Sequence, residues 1–147
     1  MVNTIQNDYV MQANEFSERN GIEIKITFKE RNSKIKIIKR GEIYLVSLDG
    51  VGSEQRNTRP AIIVQNDVGN AHSPTTVIVP LSTKIKPSMA TTHVKITSEQ
   101  GVRDESEALC EQLRVVDKSR LGRRVGKITD ESVMTDITRK INVVCGC

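Results

Sequence analysis

Gly52-Ser53-Glu54-Gln55-Arg56-Asn57-Thr58-Arg59-Pro60 runs without a break into Ala61-Ile62-Ile63-Val64, and a second apolar segment, Val77-Ile78-Val79-Pro80-Leu81, runs into Ser82-Thr83-Lys84. Short β-branched runs bounded by turn residues read as buried strands. The loop before the first strand carries an acid, an amide and two arginines. A hydroxyl pair and a lysine end the second. Core building does not call for that polar set at two strand ends, whereas binding or cleaving a phosphodiester uses all of it.

The pattern on either side is mostly β. Glu42–Leu48 reads as a strand, and Asp49-Gly50-Val51-Gly52-Ser53 starts a long loop whose glycines permit turn geometry. Strands are expected at Pro60–Gln65, closed by Asn66-Asp67 and Gly69-Asn70, and at Thr75–Leu81, His93–Ile96, Ala108–Val116 and Val125–Ile128. Asp117-Lys118-Ser119-Arg120-Leu121 resembles a capped helical turn. Thr129-Asp130-Glu131-Ser132 opens a last helix with acids in its first turn, and Val133, Ile137, Ile141 and Val144 form its apolar stripe. The expected fold class is α+β, mainly β: a small curled sheet or barrel with appended helices, including one at the C-terminus.

Residues 1–38 differ in character. Tyr9, Val10, Ala13 and Phe16 fall at helical spacing, Asn20-Gly21 is a turn signal, and Ile22, Ile24, Ile26 and Phe28 alternate with polar residues. Two readings stand: an added helix and strand, or a basic tether. The chain divides accordingly into an extension, 1–38, and a main body, 39–147.

The 147 residues suit one main domain, and 37% are hydrophobic with no Trp, two Phe and two Tyr, so the core is aliphatic. A net charge of +4 leans mildly toward anionic partners. No apolar run approaches the roughly 20 residues of a membrane helix, and the first ten residues lack a signal-peptide core. No membrane role and a cytoplasmic address are therefore expected. The three cysteines, Cys110, Cys145 and Cys147, form neither a disulfide framework nor a zinc motif. Cys110 reads as a buried small apolar residue, and the Cys-Gly-Cys tail as frayed and incidental.

Together the pieces Arg40-Gly41-Glu42-Ile43-Tyr44, Gly52-Ser53-Glu54-Gln55, Arg59-Pro60-Ala61-Ile62-Ile63-Val64, Gln65-Asn66-Asp67, Ser73-Pro74-Thr75, Thr92-His93-Val94, Glu111-Gln112-Leu113-Arg114 and Lys140-Ile141-Asn142-Val143, in this order and spacing, resemble the MazF/PemK toxins, or mRNA interferases. The resemblance covers roughly residues 39–144. It implies an SH3-like β-barrel, a homodimer, and sequence-selective cleavage of single-stranded RNA with no metal and no cofactor. It also implies an antitoxin protein that covers the RNA surface and through which alone DNA is reached. Its arginine before a proline and its strand-end hydroxyl map onto Arg59 and Ser82. Thr83 follows, so either hydroxyl is a candidate.

Such an enzyme aligns the RNA 2′-OH on its own phosphorus, giving a 2′,3′-cyclic phosphate and a 5′-OH. Arg59 would hold the phosphate oxygens and Ser82 would donate a further hydrogen bond. Glu54 is the candidate base, its alternative being an ion pair with Arg56 or Arg59. Gly52, Ser53, Gln55, Arg56, Thr83 and Lys84, with Lys86 beyond, are expected to wall the RNA site, and Gln112 to read a base edge. Arg114, Lys118, Arg120, Arg123, Arg124 and Lys127 form either a solvated face or a phosphate track. Nothing in the spacing joins His72 to His93, so solvated or structural roles are expected for both. Asp104, Glu105 and Glu107 read as a solvated loop that no histidine joins, not a metal cluster. The rival reading is a non-catalytic toxin on the same fold, such as a gyrase poison, which would need neither Arg59 nor Ser82.

Overall fold

The computed structural model describes residues 36–84 and 91–147. The helix and strand expected before residue 36, and Lys86, lie outside the described residues. Seven antiparallel strands follow one another: β1 (Glu42–Leu48), β2 (Asn57–Ile63), β3 (Thr75–Ser82), β4 (His93–Ile96), β5 (Ser106–Leu109), β6 (Arg114–Asp117) and β7 (Leu121–Lys127). A short helix α1 (Asp67–His72) precedes β3, and a longer helix α2 (Glu131–Cys145) ends the chain. The sheet order is β4-β5-β3-β2-β1-β7, with β6 also on β3.

The central strands bury both faces, so their sequences are nearly continuous apolar runs. Ile43, Ile62 and Val79 point into one cluster, completed by Val94, Ile96, Cys110 and Ile137 of α2. Val46, Ile63 and Ile78 point into the other, with Tyr44, Val116 and Leu121. Each fully buried Ile contributes about 1.5–3 kcal/mol. The polar edge of the second cluster is organised by the buried carboxylate of Glu42. It accepts from Tyr44 Oη at 3.0 Å and Lys39 N at 2.9 Å, and pairs with Arg124 Nε at 3.4 Å. Burial and this bond push the Tyr44 phenol up to about 12.

β3 is shared between two partners on one edge. Its first half pairs with β6, from Thr75↔Asp117 to Ile78↔Arg114. Its end pairs with β5, through Leu81↔Ala108 and Ser82↔Glu107. The single strand expected over 108–116 is therefore two, broken by a 3-10 turn at Cys110–Gln112. Pro80 stands opposite that turn and has no N–H to offer a neighbour, so the break falls where the ladder is weakest. At the sheet's far ends the curl closes backbone against backbone. A Cβ on Gly101, in the turn after β4, would lie 2.7 Å from the Gly126 Cα on β7.

Three further expectations are corrected. Residues 67–72, read as the close of a strand, form α1, because the Asn66 side chain caps it by accepting from Gly69 N. Val144 is 39% exposed, while Val133, Ile137 and Ile141 meet the core. The Cys-Gly-Cys tail is not frayed. Gly146, in the left-handed region at φ 78°, ends α2, with Cys147 N donating to Asn142 O at 2.8 Å.

Candidate functional site

A cleft of about 930 Å³ opens between the loop before β2 and the β3–β5–β4 edge. Glu54, Arg59 and Ser82 line it together, and so do Gly52, Ser53, Gln55, Arg56, Thr83, Lys84 and Gln112. Residues up to 60 positions apart in the sequence thus meet because β2 pairs with β3, and β3 in turn pairs with β5 and β6 on either side of the turn that carries Gln112.

The loop wall is built by local geometry. A Cβ on Gly50 would stand 2.5 Å from the Gln55 carbonyl oxygen, so only glycine lets the loop fold back this tightly. Within it Val51 N donates to Glu54 Oε2 at 3.0 Å, and Glu54 N donates to Val51 O at 3.1 Å. Glu54 forms no ion pair with Arg56 or Arg59. Asn57 starts β2 at φ 68°, a conformation Asn tolerates better than most side chains. Arg59 is half-buried. Its Nε donates to Arg56 O at 3.0 Å and its Nη1 donates to Gln55 Oε1. Both bonds fix the guanidinium plane while Nη2 keeps its donors for a ligand. Gln55 N in turn donates to Gln112 Oε1 at 3.4 Å, tying the loop to the opposite wall.

The strand wall is built by β pairing. Ser82 Oγ accepts from Lys84 N at 3.2 Å, so its own hydrogen stays available to donate. His93, its side chain 3% exposed, lies on the same wall with a carboxylate on each ring nitrogen. Nδ1 is 2.8 Å from Glu107 Oε2 and Nε2 is 2.9 Å from Glu111 Oε1. Both contacts are hydrogen bonds at once when both nitrogens carry protons. Thr92 Oγ1 donates to Glu111 Oε2 at 3.0 Å.

Glu107, expected in a solvated loop with Asp104 and Glu105 that no histidine joins, is instead joined by His93. His93, Glu107 and Glu111 come from β4, β5 and the turn after it, and strand pairing alone brings them together. His72 ends α1, exposed and away from the cleft. Glu105 pairs with Lys95 at 3.2 Å, and no group of acids, histidines and cysteines among the described residues has the geometry to hold a metal.

The basic cluster divides. Arg114 donates to Asp49 O at 3.3 Å, Lys118 Nζ to Asn70 O, and Arg120 pairs with Asp49 at 2.7 Å. Arg124 pairs with Glu42, as above. Those four side chains hold loops and strands, and Arg123 stands exposed on β7. No helix among the described residues is long and apolar enough to cross a membrane.

The chain is similar to known proteins in sequence and in fold. The chain is 39% identical over 97 residues to the endoribonuclease EndoA of Bacillus subtilis, covering 65% of this chain and 84% of that protein. It is 36% identical over 112 residues to the endoribonuclease MazF of Staphylococcus saprophyticus, covering 75% and 92%. Its fold resembles the crystal structure of MazF (form I) from Deinococcus radiodurans, with a TM-score of 0.67 at 18% identity, over 76% of this chain and 99% of that one. It also resembles a mycobacterial endoribonuclease solved in complex with its cognate antitoxin, with a TM-score of 0.61 at 24% identity, over 74% and 95%. The family model for PemK-like, MazF-like toxins matches residues 39–145, and the chain therefore belongs to the PemK-like, MazF-like toxins of type II toxin–antitoxin systems.

Proposed function

We propose that the protein is a sequence-selective endoribonuclease toxin that cuts single-stranded RNA without a metal. The observation that carries this reading is the convergence of Arg59 and Ser82 on one cleft, with the guanidinium held on two sides and the hydroxyl hydrogen available. The RNA 2′-oxygen attacks the adjacent phosphorus, the P–O5′ bond breaks, and the 5′-oxygen takes a proton. The ends are a 2′,3′-cyclic phosphate and a 5′-OH, and DNA, lacking the nucleophile, is spared. Arg59 and Ser82 bind the non-bridging oxygens as charge builds there. Between the two strand-end hydroxyls, the reading favours Ser82, which accepts from Lys84 N and donates outward. Glu54 takes the 2′-OH proton through the oxygen that Val51 does not occupy.

Specificity follows from the same wall. Gln112 lines the cleft with Oε1 accepting from Gln55 N, which leaves its Nε2 as the donor for a base acceptor. The protein works as a homodimer in the cytoplasm, and an antitoxin protein silences it by covering the cleft. The reading is tested by incubating the protein and its Arg59→Ala variant with a long single-stranded RNA in EDTA and mapping the ends. Cuts at one short repeated word with cyclic phosphate ends, absent with Arg59→Ala, are expected. No cutting by the unaltered protein overturns the reading and makes gyrase the next target to assay.

A further inference from the structure

Arg103 belongs to two hollows. It lines the cleft and, with Pro60 and Val102, it also lines a second groove of about 500 Å³. The floor of that groove is apolar, from Leu45, Pro60 and Val125, and its rim carries Arg103, Arg123 and Arg124. No carboxylate lines it. Arg124 reaches Glu42 through Nε, while Arg103 and Arg123, both exposed, make no hydrogen bond or ion pair among the described residues.

Close backbone packing forces these like charges together. A Cβ on Gly126 would stand 2.4 Å from the Gln100 carbonyl oxygen and 3.0 Å from the Gly101 Cα. The contact sets Val102-Arg103 alongside Arg123–Val125. Arg124 is offset by Glu42, but Arg103 and Arg123 stand on the same rim with no acid partner, and an anion between them would relieve their repulsion. Planar donor forks suit phosphate better than point charges do. Continuity with the cleft through Arg103 favours a chain of phosphates over an isolated one.

We propose that this groove extends the cleft and binds the phosphates of the RNA strand beyond the cut, with Arg123 as its outer contact. The proposal rests on the ribonuclease reading above. It assigns Arg123 of the basic cluster to RNA, whereas Arg114, Lys118, Arg120 and Arg124 hold loops and strands.

The test uses the full chain and two RNAs built around the mapped cut: one just spanning it, and one extended by uridines at both ends. kcat/KM is measured for each over a range of salt. The unaltered protein should prefer the extended RNA and show the steeper salt dependence on it. Arg123→Ala should lose about threefold to tenfold on the extended RNA and nothing on the short one. Its slope of log(kcat/KM) against log[salt] should fall by about 0.7. Arg123→Lys should keep most of the slope. Equal effects on both RNAs, or none on either, overturn the proposal. If the unaltered protein cuts neither RNA, the ribonuclease reading falls and this one with it. If it cuts both and Arg123→Ala leaves their ratio unchanged, only the groove assignment falls. Poly-L-glutamate is the competing probe: relief of its inhibition by Arg123→Ala, with the RNA ratio unchanged, would assign the groove to an acidic polypeptide instead.

Discussion

The two walls of the cleft are made by different means. The loop wall, from Gly50 to Arg56 and on into the first residues of β2 as far as Arg59, holds its side chains by bonds between residues three or four apart, such as Arg59 to Arg56 and to Gln55. One bond, Gln55 N to Gln112, reaches across to the other wall. The strand wall is held by cross-strand pairing and by the His93 cluster, whose partners lie 14 and 18 residues away. Long-range bonds in a buried wall are broken only when the core opens, whereas local bonds in an exposed loop are broken without it. The chemistry of the loop is therefore separable from the stability of the fold, and that of the strand wall is not.

Arg59→Ala is the largest expected break with this picture if it fails. Cleavage should fall by at least about 10²–10³-fold, as when one oxyanion donor is lost. The denaturation midpoint should stay within the ~0.5 kcal/mol of an ordinary surface change. A large loss of stability would mean that the loop wall is not independent. His93→Ala should do the reverse. It leaves Glu107 and Glu111 without the group between them, and should cost about 2–4 kcal/mol in urea unfolding. That is below the full figure for a dry pair, because both carboxylates keep some water. A cost below ~0.5 kcal/mol would show that strand pairing holds the wall by itself.

Gln55→Ala sharpens the comparison at the point where the walls meet. It removes the acceptor that orients Arg59 and should reduce kcat about tenfold, worth ~1.4 kcal/mol, with stability unchanged. Unaltered turnover would show that Arg56 O alone orients the guanidinium. The smallest effect lies outside both walls. Asp67, bonded by Arg40 N, and Asp130, bonded by Ser132, are both held below the ordinary carboxylate value of 3.8. The stability they supply is present above that value and is lost as the pH falls through their folded values. Asp67→Asn with Asp130→Asn should slightly flatten the acid limb of the melting temperature against pH while cleavage at neutral pH stays the same.

What was legible in the sequence follows the same division. β1 to β4 and α2 show as alternation, apolar runs or a helical stripe because each keeps one continuous backbone conformation and one pattern of burial along its length. Residues 108–116 misled because an apolar run says nothing about a change of partner, and β3 hands this segment from β5 to β6. α1 was missed because its six residues are too few to show a stripe, although Asn66 was a readable cap. Arg59, Ser82 and Gln112 were reached through family resemblance, since positions near strand ends and in a turn carry no periodicity. The His93 cluster left no local signal. It exists only once β4 and β5 pair, with His93 opposite Leu109. Cys110 was readable as apolar, and its burial, which pushes the thiol up to about 12, keeps it unreactive while Cys145 and Cys147 stand exposed.

The seam between Gly101 and Gly126 also governs how the molecule meets its neighbours. β4 and β7 are the two ends of the sheet, and a free strand edge is a template onto which another chain can add. Here the turn after β4 lies against β7 at main-chain distance, so each end shelters the other where they touch. A methyl group at Gly126 would do more than strain one contact. It would pry the curl apart and present ladder groups to solvent, turning a local clash into a tendency of separate molecules to stick. The two glycines thus help to keep the ends of a strand-rich sheet from unintended pairing.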